Sequence, residues 1–212
     1  MTSGLAASHR RRRKPTRAAI GVVLLTAALV ACRPAPTTNG SRVLVIGDSI
    51  TYLVSSTVQS ALQDDGWQPV IKALGGSRIE DWSPFIPSLV KQSHANVVVI
   101  ELGTNCCVSW ATLPSVIDGV MHDLQDVDAV LWLNVQTQPP YPPDDPRAIN
   151  LALARAQVHW SNMVLVDFSS HFEDHPEWHI SPDFTGVHLN AAGGVELGRF
   201  LVSQLRAVKA RH

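Results

Sequence analysis

The stretch Val43–Leu53, VLVIGDSITYL, sets four apolar residues directly against Gly47-Asp48-Ser49, and a fresh apolar pattern starts at Ile50. An uninterrupted apolar run of this length reads as a strand buried on both faces. Ser49, a small residue able to act as a nucleophile, therefore falls on a very short turn out of a buried strand.

The same kind of run recurs along the chain. Residues 42–47, 68–74, 96–102, 129–135 and 163–167 are rich in Val, Ile or Leu and lack polar alternation. Helical patterns lie at about 51–65, 83–93, 113–126, 145–160 and 191–209, several with Asp or Pro near their starts. Five strand–helix units predict a doubly wound α/β domain: one flavodoxin-like three-layer unit with a five-stranded parallel sheet and helices on both faces. Ligands in such sheets bind beyond the carboxyl ends of the strands. The loops of interest are therefore Gly47-Asp48-Ser49, Gly75-Gly76-Ser77, Gly103-Thr104-Asn105-Cys106 and the segment leading to His188.

Composition sets the class. The chain has 212 residues, 45% hydrophobic and 17% charged, enough to bury a core in one domain. Its formal net charge of −1 is unevenly spread. Six of the 17 basic residues are Arg10–Arg13, Lys14 and Arg17, and no acidic residue precedes Asp48. Without residues 1–31, 11 basic residues face 18 acidic ones, a net of −7. That balance argues against a nucleic-acid partner and against electrostatic attachment to anionic lipid.

The N-terminus reads as a targeting segment. A basic run to Arg17 precedes 14 uncharged residues, 18–31, too few to span a bilayer, which takes roughly 20. The run ends in Leu29-Val30-Ala31-Cys32, which resembles the lipobox of bacterial lipoproteins. The resemblance implies a signal peptide over 1–31, lipidation of Cys32, and a flexible Pro- and Thr-rich tether over 32–41 ahead of a domain at 42–212. The expectation is an exported monomer attached to the extracytoplasmic face of the cell membrane only through its N-terminal lipid. Beyond Cys32 only Cys106 and Cys107 remain. Adjacent cysteines cannot join distant parts of a fold and a vicinal disulfide between them would be strained, so packing or a local role is expected and no disulfide framework.

IGDSIT, ALGGSRIEDW, ELGTNC and TGVHLNAAG occur in this order at consecutive strand ends. Together they resemble the four motif blocks of the SGNH, or GDSL-type, esterase and lipase family, over about Arg42–Lys209. The resemblance implies roles for matching positions. Ser49 would be the nucleophile and His188 the general base. Gly76, or less favourably Gly75, would give an oxyanion-hole N–H, and Asn105 a side-chain amide to the same oxygen. Ser49 N–H would be the third donor. No cofactor and no metal is implied, and the substrate would be a small-molecule or glycan ester.

The chemistry asks for such groups. A serine hydroxyl needs a neutral imidazole to take its proton. Fixed donors must meet the charge that develops on the carbonyl oxygen, and losing one costs about 3–4 kcal/mol. A helix N-terminus beside Ser49 favours the same charge. Each residue also has a plainer reading: Ser49 as a helix cap, Asn105 and the glycines as turn residues, His188 as a surface histidine. Asp48 reads as structural, holding the turn.

Two positions depart from the family pattern. The family carries Asp three residues before the histidine, where this chain has Thr185. The favoured arrangement is a Ser–His dyad, its ring oriented by a backbone carbonyl or the Thr185 hydroxyl; the other brings in Asp183. Cys106 stands where Asp commonly follows the asparagine. His171, His175 and His179 recur at helical spacing, but Pro176 interrupts a helix that could gather them around zinc. The resulting expectation is an exported serine esterase acting on short acyl or acetyl groups, with a surface O-acyltransferase or a catalytically weak carbonyl- or glycan-binding relative as alternatives.

Overall fold

The computed structural model describes residues 41–137, 145–183 and 185–211. The proposed signal peptide, Cys32 and almost all of the tether lie outside these residues, as do 138–144 of the Pro-rich segment 136–146.

Five strands form one parallel sheet: β1 (Arg42–Gly47), β2 (Gln68–Ala73), β3 (Val97–Glu101), β4 (Ala129–Leu133) and β5 (Met163–Val166). Their order is β2-β1-β3-β4-β5, the flavodoxin-like arrangement expected from the apolar runs. Helices cover both faces. Helix α1 (Ser49–Asp64), α6 (Phe168–Glu173) and α7 (Ala191–Lys209) pack on one side with Val43, Val45, Val99 and Leu131. On the other, α2 (Ile79–Trp82), α3 (Ile86–Ser93), α4 (Leu113–Asp123) and α5 (Pro146–His159) bury Leu44, Ile46, Val98, Ile100 and Trp132. Alternate residues of each strand thus enter different cores, which explains the lack of polar alternation.

The helix boundaries differ from the sequence reading in instructive ways. The first helix begins at Ser49 because Asp48 is its cap, with Oδ1 accepting from the Ile50 N–H at 2.9 Å. The pattern at 83–93 resolves into a short 3-10 turn over Ser83–Phe85 and α3, with α2 just before them, the Pro residues at 84 and 87 sitting in opening turns. Helix α6 was not expected; Asp167 caps it by accepting from the Ser170 N–H.

Strand register aligns the active edge. Gly47 pairs with both Ala73 and Glu101, so these three close a common row. Ser49, Gly75 and Gly103 each lie two residues beyond that row. The loops carrying candidate site residues therefore leave the sheet side by side, around the point between β1 and β3 where the strand order reverses.

Helices α1 and α7 approach closely because α7 offers glycines. A Cβ on Gly198 would lie 2.6 Å from the Ala61 Cβ, and one on Gly194 would lie 2.8 Å from Val54 Cγ1. Gly119, on the exposed side of α4, has nothing within 4 Å of such a Cβ. Gly198→Val is expected to lower stability by about 1–3 kcal/mol through overpacking. Gly119→Ala is expected to raise it by about 0.5–1 kcal/mol through helix propensity. Urea unfolding midpoints check both, and equal shifts in the two variants would refute the close α1–α7 contact.

Candidate active site

Ser49 occupies the first position of α1, where a helix cap would have been the plain reading of it. With Asp48 acting as cap, the Ser49 hydroxyl is free for another partner, and that partner is His188. Its Nε2 lies 2.9 Å from Ser49 Oγ, across a separation of 139 residues. The segment before α7 holds the imidazole in place. His188 O accepts from the Ile180 N–H, His179 and Leu189 form an isolated bridge, and Asn190 N–H donates to Trp178 O. Asn190 then caps α7, its Oδ1 accepting from the N–H groups of Ala192 and Gly193.

The other ring nitrogen decides how the histidine is oriented. His188 Nδ1 lies 3.0 Å from Asp183 Oδ2 and 3.2 Å from Thr185 Oγ1. The Thr185 hydroxyl in turn donates to Asp183 Oδ2 at 2.6 Å, and the Thr185 and His188 N–H groups also donate to this carboxylate. The favoured dyad is thus corrected: the carboxylate of Asp183 faces the ring, and Thr185 clamps that carboxylate. A turn with Gly186 at φ 69° brings the acid back although it sits two positions earlier than the family pattern places it. Burial acts to raise the Asp183 carboxyl, but the Thr185 and His188 hydrogen bonds and the nearby imidazole outweigh it and bring it down to about 2. Asp183 therefore stays ionised throughout ordinary working pH. A carboxylate on Nδ1 leaves the proton there and the Nε2 lone pair toward the serine hydroxyl.

The two candidate glycines differ in their surroundings. Gly76, the expected donor, has φ 75° and open space around its Cα, while Ser77 N–H donates to Leu74 O across the turn. Its glycine requirement is that of the turn. Gly75 is the one beside the serine: a Cβ there would lie 3.9 Å from Ser49 Cβ. Asn105 reaches the same edge, with Nδ2 donating to Asp48 Oδ2 at 3.0 Å and to Ser77 O at 3.1 Å. Both amide hydrogens are engaged at rest, so an oxyanion would have to share one.

Beneath the turn lies a group that the sequence reading passed over. Glu101, at the end of β3, is buried, and its Oε2 accepts from the Thr51 hydroxyl at 2.9 Å and from the N–H groups of Thr51 and Asp48. The available signal was a single acid closing an otherwise apolar strand, VVVIE.

Cys106 and Cys107 are joined to each other by a disulfide directly after Asn105, and Cys106 takes φ 44°. The two cysteines thus form the vicinal bond that the sequence reading had set behind a packing or local role, and they join no distant parts of the fold. His171, His175 and His179 do not converge: His171 pairs with Glu196 and stacks on Phe200, His175 stacks on Trp178, and His179 Nε2 lies against Phe172 O. Among the described residues no group of three or more His, Cys, Asp or Glu is placed to hold a metal ion. Trp82 packs inward and donates to Ser77 Oγ, Trp178 packs beside the α7 core, and Trp110 is exposed.

The family model for the GDSL-like lipase/acylhydrolase family matches residues 45–194. The chain belongs to this family. It is accordingly a GDSL-type carboxylic ester hydrolase. Solved structures share the fold at low identity. A lipase/acylhydrolase from Enterococcus faecalis is 17% identical with a TM-score of 0.63, covering 79% of this chain and 96% of that one. The catalytic domain of a peptidoglycan O-acetyltransferase from Streptococcus pneumoniae is 16% identical with a TM-score of 0.63, covering 81% and 96%. A family 3 carbohydrate esterase from Clostridium thermocellum is 13% identical with a TM-score of 0.63, covering 81% and 98%. A search of curated proteins finds no significant match.

The cysteine pairing has a direct check. Peptide mapping after alkylation of the native GDSL-type protein is expected to find Cys106 and Cys107 unmodified without reductant and both modified after it. Modification without reductant would refute the bond.

Proposed function

We propose that the protein is an exported serine esterase that removes short acyl groups, acetyl among them, through an acyl-enzyme on Ser49. The observation that carries this reading is the continuous line Ser49 Oγ–His188 Nε2, His188 Nδ1–Asp183 Oδ2, with spacings of 2.9 and 3.0 Å.

In this mechanism the Ser49 oxygen attacks the ester carbonyl as its proton passes to His188 Nε2. Asp183 stabilises the imidazolium that forms and does not itself take the proton. The carbonyl oxygen, now negative, is met by the Ser49 N–H, the Gly75 N–H and one hydrogen of the Asn105 amide, next to the positive end of α1. His188 then returns its proton to the leaving alkoxide as the carbon–oxygen bond breaks. In the second half-reaction water gives its proton to His188, its oxygen attacks the acyl carbon, and Ser49 recovers the proton as it leaves.

The targeting pattern of residues 10–32 supports export and attachment through Cys32, and the disulfide suits an oxidising compartment. Mass spectrometry of the membrane fraction is expected to find a lipid-modified Cys32 at the N-terminus. The carbohydrate esterase and the peptidoglycan O-acetyltransferase of like fold support an acylated glycan as substrate. The latter also favours a second reading, acyl transfer to a sugar hydroxyl in place of water. Product analysis with and without an acceptor sugar separates the two.

A fluorophosphonate is expected to label Ser49 and to fail on Ser49→Ala. Asp183→Asn should lower kcat on p-nitrophenyl acetate by about 10⁴, the loss seen when a triad acid becomes an amide. Thr185→Val should have a smaller effect, since the carboxylate remains. Equal rates for Ser49→Ala and the wild type would defeat the serine mechanism.

A further inference from the structure

The groups that meet the oxyanion come from three different loops, and they converge only if those loops are fixed against one another. Sheet register aligns the points where the loops leave the strands, but the β3–α4 loop runs on from Leu102 to Thr112 before the next helix begins. Asn105 lies near the start of that loop and is fastened to the segment after β2 at one point, with Nδ2 donating to Ser77 O at 3.1 Å. A second fastening lies further along the same loop: the Val108 N–H donates to Glu80 Oε1 at 2.9 Å. Glu80 belongs to α2, the short helix that begins just after Ser77.

The α2 side of this tie is rigid. Ser77 is buried, its N–H donates to Leu74 O, and its Oγ accepts from Trp82 Nε1 at 2.8 Å. Glu80 Oε2 is buried, so the carboxyl group is packed in place and is not a free surface group. The loop side depends on the tie. The Val108 side chain is 70% exposed and gives packing little to hold. Cys106 is buried and bonded to Cys107, so the backbone between Asn105 and Val108 has little slack, and the position of the Val108 N–H is passed back to Asn105. We propose that Glu80 is a positioning residue for the ester chemistry: by holding the Val108 N–H it sets the backbone of the β3–α4 loop, and with it the place of the Asn105 amide. The inference rests on the oxyanion role given above to Asn105.

Small displacements matter at such a site. A shift of about 1 Å caused by a change far from the chemistry can cost about 100-fold in rate. The Asn105 amide rests between Asp48 Oδ2 and Ser77 O, so its reach toward a carbonyl oxygen depends on where its own backbone stands. The effect falls on kcat, because an oxyanion donor meets its full charge only in the transition state. A general loss of stability would instead lower the fraction of folded protein and leave no separate mark on the Asn105 amide.

Glutamine keeps a carbonyl oxygen for the Val108 N–H, and alanine does not. Glu80→Ala is expected to lower kcat on p-nitrophenyl acetate by about tenfold at little change in KM, a part of what losing an oxyanion donor costs. Glu80→Gln is expected to restore most of that loss. Glu80→Gln as impaired as Glu80→Ala, or Glu80→Ala with the kcat of the wild type, would overturn the proposal. A second measurement does not depend on turnover. In amide NMR spectra of protein isotope-labelled on asparagine, the side-chain signal of Asn105 is identified by its loss in Asn105→Ala. That signal is expected to shift in Glu80→Ala and to keep its wild-type position in Glu80→Gln. An unmoved signal in folded Glu80→Ala would overturn the positioning even if the serine mechanism holds. A shifted signal with undiminished kcat would show that Glu80 holds Asn105 but that Asn105 is no oxyanion donor, so failure of the tie and failure of the ester reading are told apart.

Discussion

The contact between Ser49 and His188 joins the beginning of the domain to its end, and the rest of the architecture serves it. Closing a loop of 139 residues costs conformational entropy that one hydrogen bond cannot supply. The closure is achieved by packing instead. Helix α1 starts at the serine, α7 starts just after the histidine, and the two helices meet along the face where Gly194 and Gly198 admit Val54 and Ala61. The two side chains meet because their helices do, and the hydrogen bond reports that alignment.

Once that alignment exists, the edge of the sheet holds two acids near the reacting groups, one outside the imidazole and one under the serine turn. Asp183 is the outer one, held as an anion by four protein donors or charges around it. Asp48 is the inner one, under the serine. A cation that appears only during reaction, the His188 imidazolium, is therefore met on Nδ1 by the fixed carboxylate of Asp183. Neither acid requires movement at the moment of proton transfer, which is what makes fixed dipoles and charges effective in a dry site. The inner acid also explains why Asn105 is oriented without substrate: an amide between Asp48 and Ser77 O has few other ways to lie.

Much of this was legible in the residues. The apolar runs at 42–47 and 97–101 sit in cores on both faces of the sheet, so their lack of alternation was a true signal of parallel strands. The helix at 191–209 was readable because Asn190 caps it and its apolar face repeats regularly. The approach of Ser49 and His188 followed from motif order and strand ends. Other features turn on backbone detail that a linear pattern does not encode. Gly75 and Gly76 are equivalent as letters, and only the positive φ of the second shows which serves the turn. Asp183 sits out of register with its family position, and a tight turn through Gly186 restores it. Glu101 fell inside the apolar run at 96–102, and whether an acid there faces water or buried donors depends on the neighbouring strand and helix.

Thr185 is the residue where these threads meet. A reading by family position makes it a loss, a neutral side chain where an acid belongs. In the fold it donates to that acid's replacement through both its hydroxyl and its backbone N–H, while its oxygen stays within reach of the imidazole. A carboxylate reached through a turn has more freedom than one on the residue three before the histidine, and the threonine restricts it. The site thus keeps a charged orienter by spreading over two residues what the family pattern assigns to one. The chemical requirement, an anion fixed on Nδ1, constrains the structure more tightly than the position from which that anion comes.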